Sequence, residues 1–123
     1  MIPANTKLES QFLGGLLINS SEFKYIQELF HEELFYDEKN QLIAKAILGL
    51  NNASKTIDLI NVSNELESTL KINPISFYDL SLLTNDCILN RFDEKILILS
   101  EFYIKRKMMF KLSELLEKTQ DST

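Results

Sequence analysis

His31-Glu32-Glu33 is the densest group of chemically able side chains in the sequence, and metal ligation or proton transfer is the chemistry it could offer. His31 is the one histidine and Cys87 the one cysteine, however, so no second nitrogen or sulfur ligand supports it. Zinc-type sites draw three or four such donors together, and the run therefore reads as a solvated charged segment. Cys87 as a nucleophile would need a base, and the single histidine makes that pairing a poor candidate. Nor can a lone cysteine close an internal disulfide, which suits a reducing compartment. Asp93-Glu94 could be the paired carboxylates of an acid–base site, but they stand at the head of a long helical pattern, where the helix dipole favours acids. A phosphate loop of the Gly-x-x-x-x-Gly-Lys-Ser/Thr type is absent, and three glycines are too few to build such a cradle. No catalytic, cofactor-binding or metal constellation emerges, and the chain reads as non-enzymatic.

One basic concentration remains, Lys105-Arg106-Lys107 with Lys111, readable either as a contact for nucleic acid or an acidic partner, or as a solvated helix face. The net charge of −5 argues against a broad nucleic-acid surface, which needs a basic excess. Charge is unevenly spread: residues 1–90 hold six lysines and twelve acids, net −6, whereas residues 91–123 hold seven bases and six acids, net +1. With 123 residues, 45% hydrophobic and 25% charged, the chain can form one domain with its own core. No apolar run approaches the roughly 18 residues of a membrane span, and Met1-Ile2-Pro3-Ala4-Asn5 lacks the basic-then-apolar pattern of a leader, so a cytoplasmic protein is expected.

The elements that must position these residues are helical. Glycine and proline are scarce, and apolar residues recur at helical spacing behind capping residues. Thr6 is the expected cap of a first helix, with Glu9 reaching back to the cap amide. Leu8, Phe12, Leu13 and Leu16 form its core face, and the pair Gly14-Gly15 sits inside it. Each glycine there costs about 1 kcal/mol relative to alanine, which requires a close neighbour on that face. Ser20 or Ser21 starts a short second helix with Phe23, Ile26, Leu29 and Phe30 in register, and Leu34-Phe35-Tyr36 makes an apolar corner. Asp37 caps a third helix striped by Leu42, Ile43, Ala46, Ile47 and Leu50 and ended by Asn51-Asn52. Asp58 caps a fourth, buried through Leu59, Val62, Leu66 and Leu70 and closed by Asn73-Pro74. Ser76 starts a fifth carrying Phe77, Leu80 and Leu83, and Asn85 or Asp86 begins a further short turn through Ile88 and Leu89.

The last pattern runs from Phe92 to about Lys118 without glycine or proline. At 1.5 Å per residue it spans ~40 Å, against ~36 Å for the whole of a compact domain of this size. The reading is a globular helical head over 1–90 and a long C-terminal helix over 91–123 that overshoots it. Phe92, Ile96, Leu99, Tyr103 and Phe110 form one apolar stripe, and Ile98, Phe102, Met109, Leu112 and Leu116 another. One can face the head and the other is free for a partner. Alternatively the helix breaks near Lys105-Arg106-Lys107 and both stripes pack internally. Aromatic and methionine side chains bury large area at low cost, so Phe102, Tyr103, Met109 and Phe110, with Arg106 as the guanidinium of a structural or intersubunit ion pair, are the candidate protein-interface residues.

Taken in order, these segments form a series: Pro3 with Asn5, Glu9 leading into Leu13-Gly14-Gly15-Leu16-Leu17, Phe35-Tyr36, Leu42-Ile43 with Ala46-Ile47, Leu50, Ile57-Asp58 with Val62 and Leu66, Phe77-Tyr78 with Leu80, then Glu101 and Arg106. The series resembles the N-terminal domain of the DnaB family of bacterial replicative helicases over roughly residues 3–112. The matching structural positions are Leu13, Gly14, Phe35, Tyr36, Ile43, Ile57, Asp58 and Leu66. Departures include Asn40 where the family commonly has histidine, Gly15 where it has alanine, and Arg91 and Lys95 where asparagine and tyrosine are usual.

The resemblance implies an all-α bundle of about six helices whose long last helix is the first arm of a dimerising hairpin, the second arm cut off beyond Gln120-Asp121-Ser122-Thr123. It implies self-association into a hexamer collar, docking of primase, a possible helicase-loader contact and DNA contact only through the full-length hexamer. ATP and magnesium belong to a separate motor domain, with no cofactor in this chain and no membrane partner. Two other functions compete with it, the helicase-binding C-terminal domain of a primase, which has a similar fold, and a stand-alone helical nucleic-acid-binding or loader adaptor. For Gly14 the resemblance points to the third helix or the Phe35-Tyr36 corner as the neighbour.

Overall fold

The computed structural model describes residues 1–70 and 75–121, the side chains of Leu70 and Asp121 excepted. The expected burial of Leu70, the Asn73-Pro74 break and the terminal Ser122-Thr123 fall outside that set. The described residues form an all-helical bundle: α1 (Thr6–Ile18), a 3-10 turn (Ser20–Glu22) leading into α2 (Phe23–Ile26), a second 3-10 turn (Glu32–Leu34), α3 (Glu38–Asn52), α4 (Leu59–Leu70), α5 (Phe77–Leu82) and α6 (Phe92–Asp121).

Local chemistry accounts for most boundaries. Asp37 accepts from the Asn40 amide and caps α3, Asp58 accepts from the Asn61 amide at the start of α4, and Ser76 accepts from the Asp79 amide and caps α5. At the end of α3 the Lys55 amide donates back to the Leu50 carbonyl and the Ser54 amide to Asn51, with Ser54 at φ 57°. That is a Schellman closure built on serine where glycine is the usual residue. One expected cap is corrected. Asn5, not Thr6, caps α1 by accepting from the Leu8 amide, and Glu9 does not turn back to its own helix.

Glu9 is instead buried and reaches across the core, accepting from the Tyr36 amide at 2.8 Å, the Asp37 amide at 3.2 Å and Asn40 Nδ2 at 3.2 Å. A carboxylate can be buried without prohibitive cost when several donors surround it. This knot fixes the Phe35–Asp37 corner against α1, and Asn40 adds a bond to Ser10 Oγ.

The core is shared by all six helices. Phe12, Leu13 and Leu16 of α1 meet Ile43 and Ile47 of α3, Val62 and Leu66 of α4, Leu80 of α5 and Phe92, Ile96 and Leu99 of α6, all buried. Burial of each such side chain contributes ~1.5–3 kcal/mol. Phe12 meets Phe92 edge-on at 5.7 Å between centroids, and Phe23, Phe30 and Phe35 form a second edge-on chain. Leu29, expected on the inner face of α2, is half exposed beyond that helix.

The glycine pair sits against α5 and the segment after it, which corrects the anticipated neighbour. A Cβ on Gly14 would collide with the Leu83 carbonyl oxygen, lie 2.7 Å from its carbon and 3.1 Å from Cys87 Cβ. One on Gly15 would strike the Ile88 carbonyl oxygen and the Phe92 ring. The same approach lets the Ile88 amide donate to the Gln11 carbonyl at 3.1 Å. Leu83–Asn85 continues α5 as i→i+3 turns, but no regular element forms through Ile88 and Leu89, because Ile88 spends its amide on α1.

Candidate protein-interaction site

α6 is one unbroken helix of 30 residues, so the anticipated alternative of a break at Lys105-Arg106-Lys107 is not realised. Its length is ~45 Å. Only the N-terminal half lies on the head: Phe92, Ile96, Leu99 and Arg106 are buried, Tyr103 half-buried, and every described side chain from Phe110 to Gln120 is exposed.

Arg106 marks the point of departure. Its guanidinium donates to the carbonyl oxygens of Pro3 at 3.1 Å, Glu33 at 3.3 Å and Leu34 at 3.1 Å. The ion pair foreseen for it is thus replaced, within this chain, by three main-chain acceptors; a fork of fixed donors suits three carbonyls as well as one carboxylate. The Tyr36 and Tyr103 rings lie 5.7 and 5.9 Å from the guanidinium carbon, at cation–π distance. Tyr103 also donates to Glu33 Oε2 at 3.4 Å, meets the His31 ring edge-on at 4.7 Å and has Lys107 Nζ 5.5 Å from its centroid. Burial pushes the His31 pKa below 6.5, helped by Lys107 and opposed by Glu33 and Glu32. His31 is therefore a packing residue at the foot of α6. Among the described residues no group of three metal-capable side chains occurs.

Between the overhang and the corner lies a groove of about 920 Å³, floored by Phe35 and Tyr36 and walled by Glu33, Glu38 and Gln41 on one side and by Lys107, Phe110 and Lys111 on the other. The five proposed interface residues thus separate. Arg106 is buried in its own chain, Phe102, Tyr103 and Met109 are half-buried, and Phe110 opens into the groove. The strongest exposure on the neutral stripe lies further out, at Leu112 (60%) and Leu116 (64%), continuing Ile98, Phe102 and Met109 at four-and-three spacing. That spacing is a coiled-coil seam, with Lys105 as its one charged position.

Sequence reasoning missed a further stripe. Leu97, Ile104, Met108 and Leu115 are exposed on the side of α6 opposite Arg106, interrupted by Glu101 and Lys111 and edged by Lys107 and Lys118. Their heptad spacing was available as a signal, masked by the interleaved Glu101 and Lys111. The family-matching positions behave as a frame: Leu13, Phe35, Ile43, Ile57 and Leu66 are buried, Gly14 admits the Leu83 backbone, Asp58 caps α4, and Tyr36 gives its amide to Glu9. No helix among the described residues is long and apolar enough to cross a membrane.

A family model described as the DnaB-like helicase N terminal domain matches residues 1–101. The replicative DNA helicase DnaB of Buchnera aphidicola subsp. Baizongia pistaciae (strain Bp) is 34% identical over 74 residues, which are 60% of this chain and 16% of that protein. The replicative DNA helicase DnaB of Rhodothermus marinus is 34% identical over 67 residues, 54% of this chain and 7% of that protein. The chain therefore spans a small part of the length of these curated relatives. Among solved structures, the N-terminal domain of DnaB helicase from Mycobacterium tuberculosis superposes with a TM-score of 0.89 at 19% identity, covering 99% of this chain and 89% of that one. At that identity the likeness speaks for the fold.

Proposed function

The chain belongs to the family of DnaB-like helicase N-terminal domains, and we propose that it acts as the non-catalytic assembly module of a replicative DNA helicase in the cytoplasm. In this reading it self-associates through α6 into the collar of a hexamer and docks primase, with a loader as a further partner. ATP and magnesium act in a separate motor domain, and DNA is met through the assembled ring. The observation that carries the reading is the neutral seam of α6, whose outer residues Leu112 and Leu116 stand exposed beyond the head. An exposed apolar seam of this length is costly in an isolated monomer and is covered when helices pair.

Sedimentation over a wide concentration range tests self-association. The unmodified chain is expected to associate, and Leu112→Glu or Leu116→Glu to remain monomeric with an unchanged melting temperature. A monomer at every concentration would overturn dimerisation by this helix alone. Calorimetric titration with the primase of the same organism tests the second partner, and no heat at high micromolar concentrations would remove it. Tight, strongly salt-dependent binding of single-stranded DNA by the chain alone would favour a nucleic-acid-binding role instead.

A further inference from the structure

A cleft of about 330 Å³ opens between the Ser20–Glu22 turn with α2 and the segment that leaves α3. Its chemistry differs from that of the groove beside α6. The groove is lined by the carboxylates Glu33, Glu38 and Glu114 as well as by lysines. No carboxylate lines the cleft, although the chain as a whole is acidic at net −5. Lys24 and Lys55 reach it from two separate segments, and the hydroxyls of Ser20 and Thr56 and the amides of Gln27 and Asn51 add neutral hydrogen-bond donors. Phe23 and Ile57, both buried, form its floor.

The backbone on both sides is fixed in the free protein. The Lys55 amide donates to the Leu50 carbonyl at 2.8 Å in the closure of α3, and Asn61 Nδ2 donates to the Thr56 carbonyl at 2.8 Å. Opposite them, Ser21 Oγ donates to Asn19 Oδ1 at 2.9 Å, and Phe23 packs edge-on against Phe30. The cations are not spent in this way. Among the described residues neither lysine forms an ion pair, and Lys24 only lies over the Tyr25 ring at 5.0 Å. Glu22 and Asp58 adjoin the cleft in sequence, but neither lines it, and Asp58 accepts from the Asn61 amide at the head of α4.

Two ammonium groups with several neutral donors suit a ligand that carries two negative charges on several acceptor oxygens. A phosphate monoester bears about −1.5 to −2 at pH 7 on three strong acceptors, and lysine binds phosphate as a point charge. A carboxylate offers one charge and two oxygens. The volume lies at the small end of the ~300–1,000 Å³ common for ligand sites, which suits a phosphate with a compact organic body. We propose that this cleft binds the phosphate group of a small phosphomonoester, with Lys24 and Lys55 neutralising its charge and Ser20, Gln27, Asn51 and Thr56 donating to its oxygens. The site is separate from α6 and does not depend on self-association.

The test records amide spectra of the whole isotopically labelled chain during titration with inorganic phosphate, adenosine 5′-monophosphate, adenosine or acetate at constant ionic strength. Both phosphates are expected to shift residues 20–27 and 51–57 saturably and at least tenfold more tightly than acetate, while adenosine leaves them in place. Tighter binding of the nucleotide than of inorganic phosphate supports a site for an organic phosphate, and equal binding supports the phosphate contact alone. Lys24→Gln and Lys55→Gln should each weaken inorganic phosphate at least threefold, and the two together at least tenfold. Both positions are exposed, and unmoved resonances of the core show that the fold persists. The proposal is overturned if phosphate gives no saturable shift at tens of millimolar, if acetate or adenosine binds as tightly, or if the double variant stays within twofold of the parent. Equal shifts around Lys105, Lys107 and Lys111 would reduce the contact to diffuse attraction and overturn it as well.

Discussion

Replacing Gly14 by alanine adds one methyl group where the α1 backbone lies against the Leu83 carbonyl. In the free helix the change is favourable by about 1 kcal/mol, since alanine is the better helix former. Here the new Cβ would overlap the Leu83 carbonyl oxygen and stand 2.7 Å from its carbon and 3.1 Å from Cys87 Cβ. The obstruction is main chain, so it cannot rotate away; α1 and the end of α5 must separate, loosening the buried Leu80 and the Ile88-to-Gln11 hydrogen bond. Overpacking of this kind costs about 1–3 kcal/mol or more, and the bond adds about 1 kcal/mol. After the helix-propensity gain the net loss is ~1–3 kcal/mol, a fall in melting temperature of roughly 3–12 °C for a domain of this size. Urea and thermal unfolding of Gly14→Ala measure it, with Gly49→Ala as the internal control. At Gly49 the nearest obstacle is Glu65 Oε1 at 2.8 Å, the mobile end of an acidic side chain, and that variant should gain ~0.5–1 kcal/mol. If Gly14→Ala is as stable as the parent or more so, the close approach of α1 and α5 described above is wrong.

Three further outcomes follow from other contacts. Arg106→Met leaves the carbonyls of Pro3, Glu33 and Leu34 without their donor, so a loss of ~3 kcal/mol in chemical denaturation is expected, and Arg106→Lys should recover less than half because an ammonium cannot span three acceptors. Ser54→Gly relieves the left-handed residue at φ 57° that closes α3, raising stability by ~0.5–1 kcal/mol in the same assay. His31 binds its proton less readily in the folded state because it is partly buried, so the unfolded chain holds more protons below about pH 6.5 and stability should decline as pH falls from 7 toward 5.5. His31→Gln should flatten that slope in urea titrations, and an unchanged slope would remove His31 as its source.

Local signals were legible and distant ones were not. Asp37, Asp58 and Ser76 cap the helices they precede because a cap is a contact over three residues, which spacing alone displays. Glu9 has the spacing of a capping box, yet its partners lie 27 to 31 positions away, and no local pattern distinguishes the two uses of a carboxylate. Gly14 announced a close approach without naming Leu83, since the absence of a side chain carries no address. Arg106 looked like an exposed member of a basic run; its burial is decided by Tyr36 and by the carbonyls of Pro3, Glu33 and Leu34, which the helix meets only in three dimensions. The candidate interface was legible as a helix too long for its head, while its division into a groove, a neutral seam and a lysine-edged stripe required knowing which side the head occupies.

The attachment of α6 also makes it a lever. Its fulcrum is the Arg106 guanidinium on the carbonyls of Pro3, Glu33 and Leu34, and the 15 residues from there to Asp121 form an arm of ~22 Å at helical rise. A tilt of about 10° at the fulcrum displaces the tip sideways by ~4 Å, about three-quarters of the helical pitch. Three hydrogen bonds at one end therefore set the aim of every apolar side chain at the other, and small changes at the foot are magnified into a different crossing position for whatever the arm engages.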